Sequence, residues 1–233
     1  MNAFPEDAAT DVGAGIAEDR RARILRRMAW PAAALAAAGL IAWFYPRPEA
    51  GDDGRDVPEW LGIGFTLHGE VDVLDYESGT LLMTGRGYHA LPDPYGPDFT
   101  LAYAYRFPDA ADLPEDERPT CNTGCLLFIT GEDRVWPRCL EVQGKWSETA
   151  SIKSNARDVQ VTATLDEPAR DAARRPPGEW NRVEVVSTGG ALRVSLNGVE
   201  VATSEPTELT RGRIGFQAEG FPVEFRGVTI EER

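Results

Sequence analysis

Histidine is almost missing from this chain: His68 and His89 are the only two among 233 residues, which argues against a histidine-ligated zinc centre. No Gly-x-Ser-x-Gly, His-Glu-x-x-His or phosphate-binding loop occurs anywhere, so serine-elbow hydrolases, zincin proteases and P-loop nucleotidases are set aside. Gly85-Arg86-Gly87 is not a dinucleotide fingerprint, because no helix signal follows it. Basic charge is also scarce. Lys and Arg total 24 against 38 Asp and Glu, a net of −14. The first fifty residues are close to neutral, so the rest carries nearly all of that deficit. A domain so acidic repels phosphate backbones, and nucleic acid is excluded as a partner. Internal repeats are absent, and helical periodicity is rare. Cysteine is limited to Cys121, Cys125 and Cys139.

A long apolar run occurs once, from Ala29 to Tyr45. Seventeen helical residues span roughly 26 Å, at the short end for a bilayer core. Arg20, Arg21, Arg23, Arg26 and Arg27 precede it and only Arg47 follows closely, while Trp30, Trp43 and Tyr45 sit at its ends. That asymmetry implies a cytoplasmic tail at 1–27, an uncleaved transmembrane anchor at 28–46, a linker at 47–57 and an extracytoplasmic domain at 58–233, periplasmic or at the cell surface. A cleaved signal peptide is the rival reading, but Pro48-Glu49-Ala50 makes a poor cleavage site. Asp52 and Asp53 read as linker charge, since no later Glu completes an EF-hand loop.

With 21 aromatics and 42% hydrophobic residues, the remainder can build a core. Its signals are strands. Phe99, Leu101, Tyr103, Tyr105 and Phe107 share one face of a two-residue period, most simply a core face. Hairpins are expected where 71–76 and 80–84 flank Glu77-Ser78-Gly79, and at Asn197-Gly198 between 192–196 and 199–202. Further strands are expected at 180–187, 212–218 and 223–230. Residues 166–175 can make a turn or two of helix before Pro176-Pro177, 144–157 reads as a long polar excursion, and His89 is expected on a loop. The fold class is all-β, an antiparallel β-sandwich or jelly roll.

The stretch from Asn122 to Gln143 organises the rest. Two β-prone runs flank Gly131-Glu132-Asp133-Arg134, giving a hairpin with a short loop. In its second strand Glu141 and Gln143 share a face opposite to Leu140 and Val142. With Trp136 nearby, that face suits a hydroxyl-rich ligand, although a solvated outer face gives the same alternation. An exported location permits disulfides, so one disulfide and one free thiol are expected among the three cysteines. An odd hairpin loop would set Cys125 facing Cys139, and an even one would turn them apart; Cys121 with Cys125 through a tight loop is the alternative pairing.

Seven phrases, in order over about residues 80–231, resemble the 3-keto-disaccharide hydrolase-like domain family. They are Tyr95-Gly-Pro-Asp-Phe99, Asn122-Thr-Gly124, Val135-Trp-Pro-Arg-Cys-Leu-Glu-Val-Gln143, Pro177-Gly-Glu-Trp-Asn181, Leu196-Asn-Gly198, Gly215-Phe-Gln-Ala-Glu-Gly220 and Val223-Glu-Phe-Arg226. Two positions depart from the family pattern. Phe128 stands where a basic residue is frequent, which threatens a ligand contact, and Gly227 replaces a frequent Asn.

The resemblance implies a concanavalin A-like lectin/glucanase sandwich with a polar pocket on one sheet, acting on glycosides oxidised at position 3. It makes Glu141 the first candidate for acid–base work and Glu219 the second. Arg138 and Lys153 become cationic candidates, with Asn122, Gln143 and Gln217 orienting hydroxyls beside Trp136. No cofactor is certain, and an oxygen-ligated divalent cation such as calcium stays open. A non-catalytic glycan-binding module and a purely structural envelope domain are the competing functions. The expected partners are a carbohydrate and, through the anchor, the membrane.

Overall fold

The computed structural model describes residues 66–75 and 79–233. The tail, anchor and linker expected over 1–57 lie outside the described residues. Besides three single turns of 3-10 helix, twelve strands and one short α-helix follow in order among the described residues. They are β1 (Thr66–Asp75), β2 (Thr80–Ala90), β3 (Phe99–Arg106), β4 (Gly124–Thr130), β5 (Arg138–Gln143), β6 (Ile152–Ser154), β7 (Ala163–Leu165), α1 (Glu167–Ala173), β8 (Asn181–Thr188), β9 (Ala191–Leu196), β10 (Val199–Ser204), β11 (Arg213–Glu219) and β12 (Val223–Glu232). All the pairings are antiparallel, as expected.

The strands form a single sheet that folds over on itself, in the order β6-β5-β4-β11-β2-β12-β3-β8-β9-β10-β7, with β1 on the other edge of β2. The fold-over is written into β2. Its residues 86–90 pair with β11, and its residues 80–83 pair with β12, so the last two strands run in line along one edge. Between them the chain turns the corner, and the Gly220 amide donates to the Gly85 carbonyl at 2.8 Å. Both glycines have φ of 87°, a conformation that costs other residues steric energy.

Folding over places two apolar faces against each other. Phe216 on β11 lies 4.9 Å from Phe225 on β12 and 5.3 Å from Tyr103 on β3. Phe99, Leu101, Tyr103, Tyr105 and Phe107 are all buried in this core, where the alternation of β3 placed them. Asn197 and Gly198 both take positive φ in the turn between β9 and β10, as the two-residue turn that matches the strands' right-handed twist requires. Asp166 caps α1 by accepting from the Ala169 amide at 3.0 Å, with Pro168 in the first turn.

Four expectations need correction. His89 is not on a loop: it lies in β2, only 2% exposed, and burial, then the neighbouring His68, lowers its pKa to about 4. The 144–157 stretch is not only an excursion, since β6 within it extends the sheet beside β5. The β4–β5 connection is longer than four residues, running from Gly131 to Pro137.

The expected disulfide is the fourth, because all three cysteines are free thiols. A seven-residue connection is odd, and alone it would set Cys125 and Cys139 on one face. Register shifts by one residue between Leu127 and Thr130, where Phe128 takes φ of 56°. This bulge reverses the parity. Cys125 pairs with Val142 and joins the main core, while Cys139 points to the opposite face.

Candidate functional site

The face opposite the core in the β6-β5-β4-β11-β2 half carries the candidate site. Register fixes who stands beside whom. Glu141 pairs with Leu126 on β4 and with Lys153 on β6. Gln143 pairs with Gly124, while Gln217 and Glu219 on β11 pair with Tyr88 and Arg86 on β2. The two polar pairs expected from sequence, Glu141/Gln143 and Gln217/Glu219, therefore lie on one sheet face with β4 between them.

Between them β4 offers glycine. A Cβ on Gly124 would collide with Glu141 Oε1 and stand 2.9 Å from its Cδ, so the missing side chain is what gives the carboxylate its place. Asn122, just before β4, donates through Nδ2 to Glu219 Oε2, and the Trp136 indole N–H donates to Glu219 Oε1 at 3.3 Å. The Gln143 side-chain oxygen accepts from the Lys145 amide at 2.8 Å.

An ordinary outer face would be wet, but this one is not. The 131–137 connection crosses it, anchored where Asp133 meets the Tyr88 hydroxyl at 2.9 Å and the Arg213 guanidinium. Val135 comes down on Gly69 of β1. Tyr88, Ala90, Leu126, Ile129 and Cys139 form a small apolar cluster on this face.

Buried polar atoms are left without partners at the same place. Glu141 is 4% exposed and its Oε1 has no hydrogen-bond partner among the described residues. Gln217 is fully buried with neither end of its amide satisfied there, and Asn122 Oδ1 is in the same state. Each such atom costs about 1–3 kcal/mol relative to a satisfied one. A fold that retains several of them together is shaped for a ligand that completes them.

Electrostatics follow from this enclosure. Burial, and next the charge of Glu219, push the Glu141 carboxyl up to about 7, while a hydrogen bond from Asn155 and the Lys153 charge oppose the rise. Burial also raises Glu219, against the pull of the Trp136 N–H and of Arg86, Lys145 and Lys153. Glu148 stands between Lys145, at 3.2 Å, and Lys153, forming ion pairs with both.

The remaining candidate, Arg138, is spent elsewhere. It opens β5 opposite Thr130, and its guanidinium binds Asp158 at 2.8 Å and Glu208, so it is not a free cation beside Glu141. Phe128 removes no ligand contact either. The bulge turns it into the main core, 5.7 Å from Phe99, and it is fully buried. Among the described residues no three of His, Cys, Asp and Glu gather as metal ligands. Both Glu219 oxygens are held by N–H donors, leaving Glu141 as the one of the two site carboxylates with an oxygen that has no partner among the described residues. That donor set does not fit a divalent cation such as calcium, which prefers several oxygen ligands.

Three contributors escaped the sequence reading. Asn155 carries no motif in a polar stretch, yet it sits close enough to Glu141 to lower its pKa. Gly124 had a signal in retrospect, being a glycine that opens an apolar strand in the register of Gln143. Asp133 looked like a turn residue, and nothing in its neighbours announced Tyr88 or Arg213 as partners.

The fold defines a class. A galectin-like protein of unknown function from Bacillus subtilis aligns at 12% identity over 72% of this chain and 89% of that one, with a TM-score of 0.55. A Parabacteroides distasonis ATCC 8503 protein, provisionally described as a glycosyl hydrolase, aligns at 19% identity over 73% of this chain and 100% of that one, with a TM-score of 0.50. Residues 50–231 match the 3-keto-alpha-glucoside-1,2-lyase-like domain, and the chain belongs to that carbohydrate-active family. No curated protein matches it.

Proposed function

We propose that this domain cleaves 3-keto-glycosides by elimination, with Glu141 as the base. A ketone at carbon 3 acidifies the proton on carbon 2. Ionised Glu141 takes that proton, and the electron pair moves onto the ketone oxygen as an enolate. The enolate then reforms the ketone and expels the oxygen substituent at carbon 1, leaving a double bond between carbons 1 and 2. The proton held on Glu141, or one from Glu219, passes to the departing oxygen. Addition of water across the double bond completes a net hydrolysis.

The observation that carries this reading is the unpartnered oxygen of Glu141 and the unpartnered amide of Gln217, buried on one sheet face with β4 between them. A base needs a free lone pair, and a developing enolate needs an N–H donor that is not already engaged. Gln217 Nε2 is such a donor. A pKa of about 7 suits a group that must take and return a proton near neutrality. Asn122, Gln143, Lys153 and Trp136 bracket the pair and would hold the sugar's hydroxyls. We also read 28–46 as an anchor that holds the domain outside the cytoplasm, on the strength of the arginine asymmetry.

Turnover of a 3-keto-glucoside with a chromogenic leaving group tests the chemistry. Glu141→Gln should lower kcat by roughly 10²–10⁴-fold, the range for general acid–base groups. Wild-type activity should rise with pH through about 7 as Glu141 ionises. Unchanged turnover in Glu141→Gln removes it as the base. Binding without turnover in the wild type would make the domain a glycan-binding module instead.

A further inference from the structure

A cleft of about 700 Å³ is lined by residues 134–136 of the β4–β5 connection, by Arg138, and by residues 155–158 after β6. Each wall reaches one carboxylate. Trp136 donates its indole N–H to Glu219 from one side, and on the other Asn155 donates to Cys139 Sγ at 3.7 Å and sits close enough to Glu141 to lower its pKa. The cleft therefore adjoins side chains that touch the carboxylate pair.

The lining has an unusual character for so acidic a chain. Trp136 is 50% exposed, one of only two large hydrophobic residues so exposed among the described residues. Its N–H is committed to Glu219, which fixes the indole plane at the mouth of the cleft. Arg134 and Arg157 are both exposed and both line the walls. Among the described residues neither forms an ion pair, whereas Arg138 is neutralised by Asp158 and Glu208. In a protein of net charge −14, two uncompensated arginines flanking a bare indole make a local positive site.

We propose that this cleft is a leaving-group subsite for an anionic, planar or ring-bearing group, stacked on Trp136 with its carboxylate, sulfate or phosphate between Arg134 and Arg157. An aromatic or sugar ring gains from the indole face, and guanidinium groups match an oxyanion in geometry as well as charge. The location as a leaving-group site rests on the elimination reading above. The binding of an anion in the cleft stands without it.

The test therefore begins without a sugar. Titrating the whole protein with 4-hydroxybenzoate and with its uncharged twin 4-hydroxybenzamide, followed by tryptophan fluorescence and ligand-observed NMR, reads the cleft alone. The acid should bind about fivefold or more tighter, a difference that shrinks as salt is raised. Arg134→Gln/Arg157→Gln should erase the difference while leaving the amide's affinity in place, and Trp136→Ala should weaken both. Equal affinity for the two twins, or a difference that survives the double arginine variant, overturns the proposal.

A second pair of probes ties the subsite to the reaction. The 3-keto-glucosides of the same two phenols should differ in KM in the wild type, and should cease to differ in the double arginine variant. Selective binding of 4-hydroxybenzoate with no turnover of either glucoside would count against the elimination chemistry and leave the anion subsite standing.

Discussion

Replacing Glu141 by Gln should make the fold more stable relative to the wild type as pH rises, because only the carboxyl becomes charged. In the unfolded chain this group releases its proton near 4.5, but in the folded domain it does so near 7. Between those values the folded state holds a proton that the unfolded state has lost. Wild-type stability therefore falls as pH climbs from about 4.5 to 7 and stays lowered above that. A gap of about 2.5 pH units corresponds to about 3 kcal/mol, since one unit is worth about 1.4 kcal/mol. Glutamine never titrates, so the variant lacks this slope. Any fixed cost of burying its extra N–H group is present at every pH and cancels when the two pH values are compared. Thermal unfolding of both proteins at pH 5 and pH 8 measures the effect. Part of that change falls below pH 5, so moving from pH 5 to pH 8 the variant should gain about 2.5 kcal/mol, roughly 5–10 °C, on the wild type, at about 2–4 °C per kcal/mol for a domain of this size. Parallel curves, with the same difference at both pH values, would show that Glu141 titrates as an ordinary exposed carboxyl and would remove the basis for its role as a base.

Other outcomes follow from particular contacts. Gly124→Ala should lower turnover at least tenfold, because its methyl group occupies the place of the Glu141 carboxylate; an active variant with unchanged KM would show that the carboxylate can sit elsewhere. Alkylation in denaturant without reductant should modify all three cysteines, read by mass spectrometry, since Cys125 and Cys139 point to opposite faces; a single modified site would restore the disulfide. Protease added to spheroplasts should digest the β domain if 28–46 is an anchor with its tail inside, and full protection would reverse that orientation.

The strands were legible because most of them bury one face and turn on glycine. In β3 the alternation from Phe99 to Phe107 needed nothing beyond the chain itself, and Asn197-Gly198 specified its own turn. The shared face of Glu141 and Gln143 was readable for the same reason. What escaped was everything set by register between distant segments. The single extra residue at Phe128 turned Cys139 away from Cys125 and took Phe128 itself out of consideration as a ligand position. No local pattern marks a bulge whose purpose is to pack Phe128 against Phe99. Asn155 and Asp133 were invisible as well, because polar residues in connections look alike until the fold shows what they touch. Arg138 was misjudged in the opposite sense. Its position next to the Cys139–Gln143 run suggested a site cation, but a side chain that opens a strand can reach acids from other connections, here Asp158 and Glu208.

The strand shared between the two halves of the sheet has a consequence for how the domain comes into being. Residues 80–90 are made early, yet one whole edge of β2 stays bare until residues 213–232 arrive. At a synthesis rate of about 5–20 residues per second, that delay is on the order of ten seconds. During the wait Leu81, Leu82 and Met83 stand on an unpaired edge, a template for a neighbouring chain. Gly85-Arg86-Gly87, directly after them, interrupts the run with a charge between two glycines whose φ values are positive. The same three residues that turn the finished sheet through its corner would thus keep the unfinished one from joining another copy.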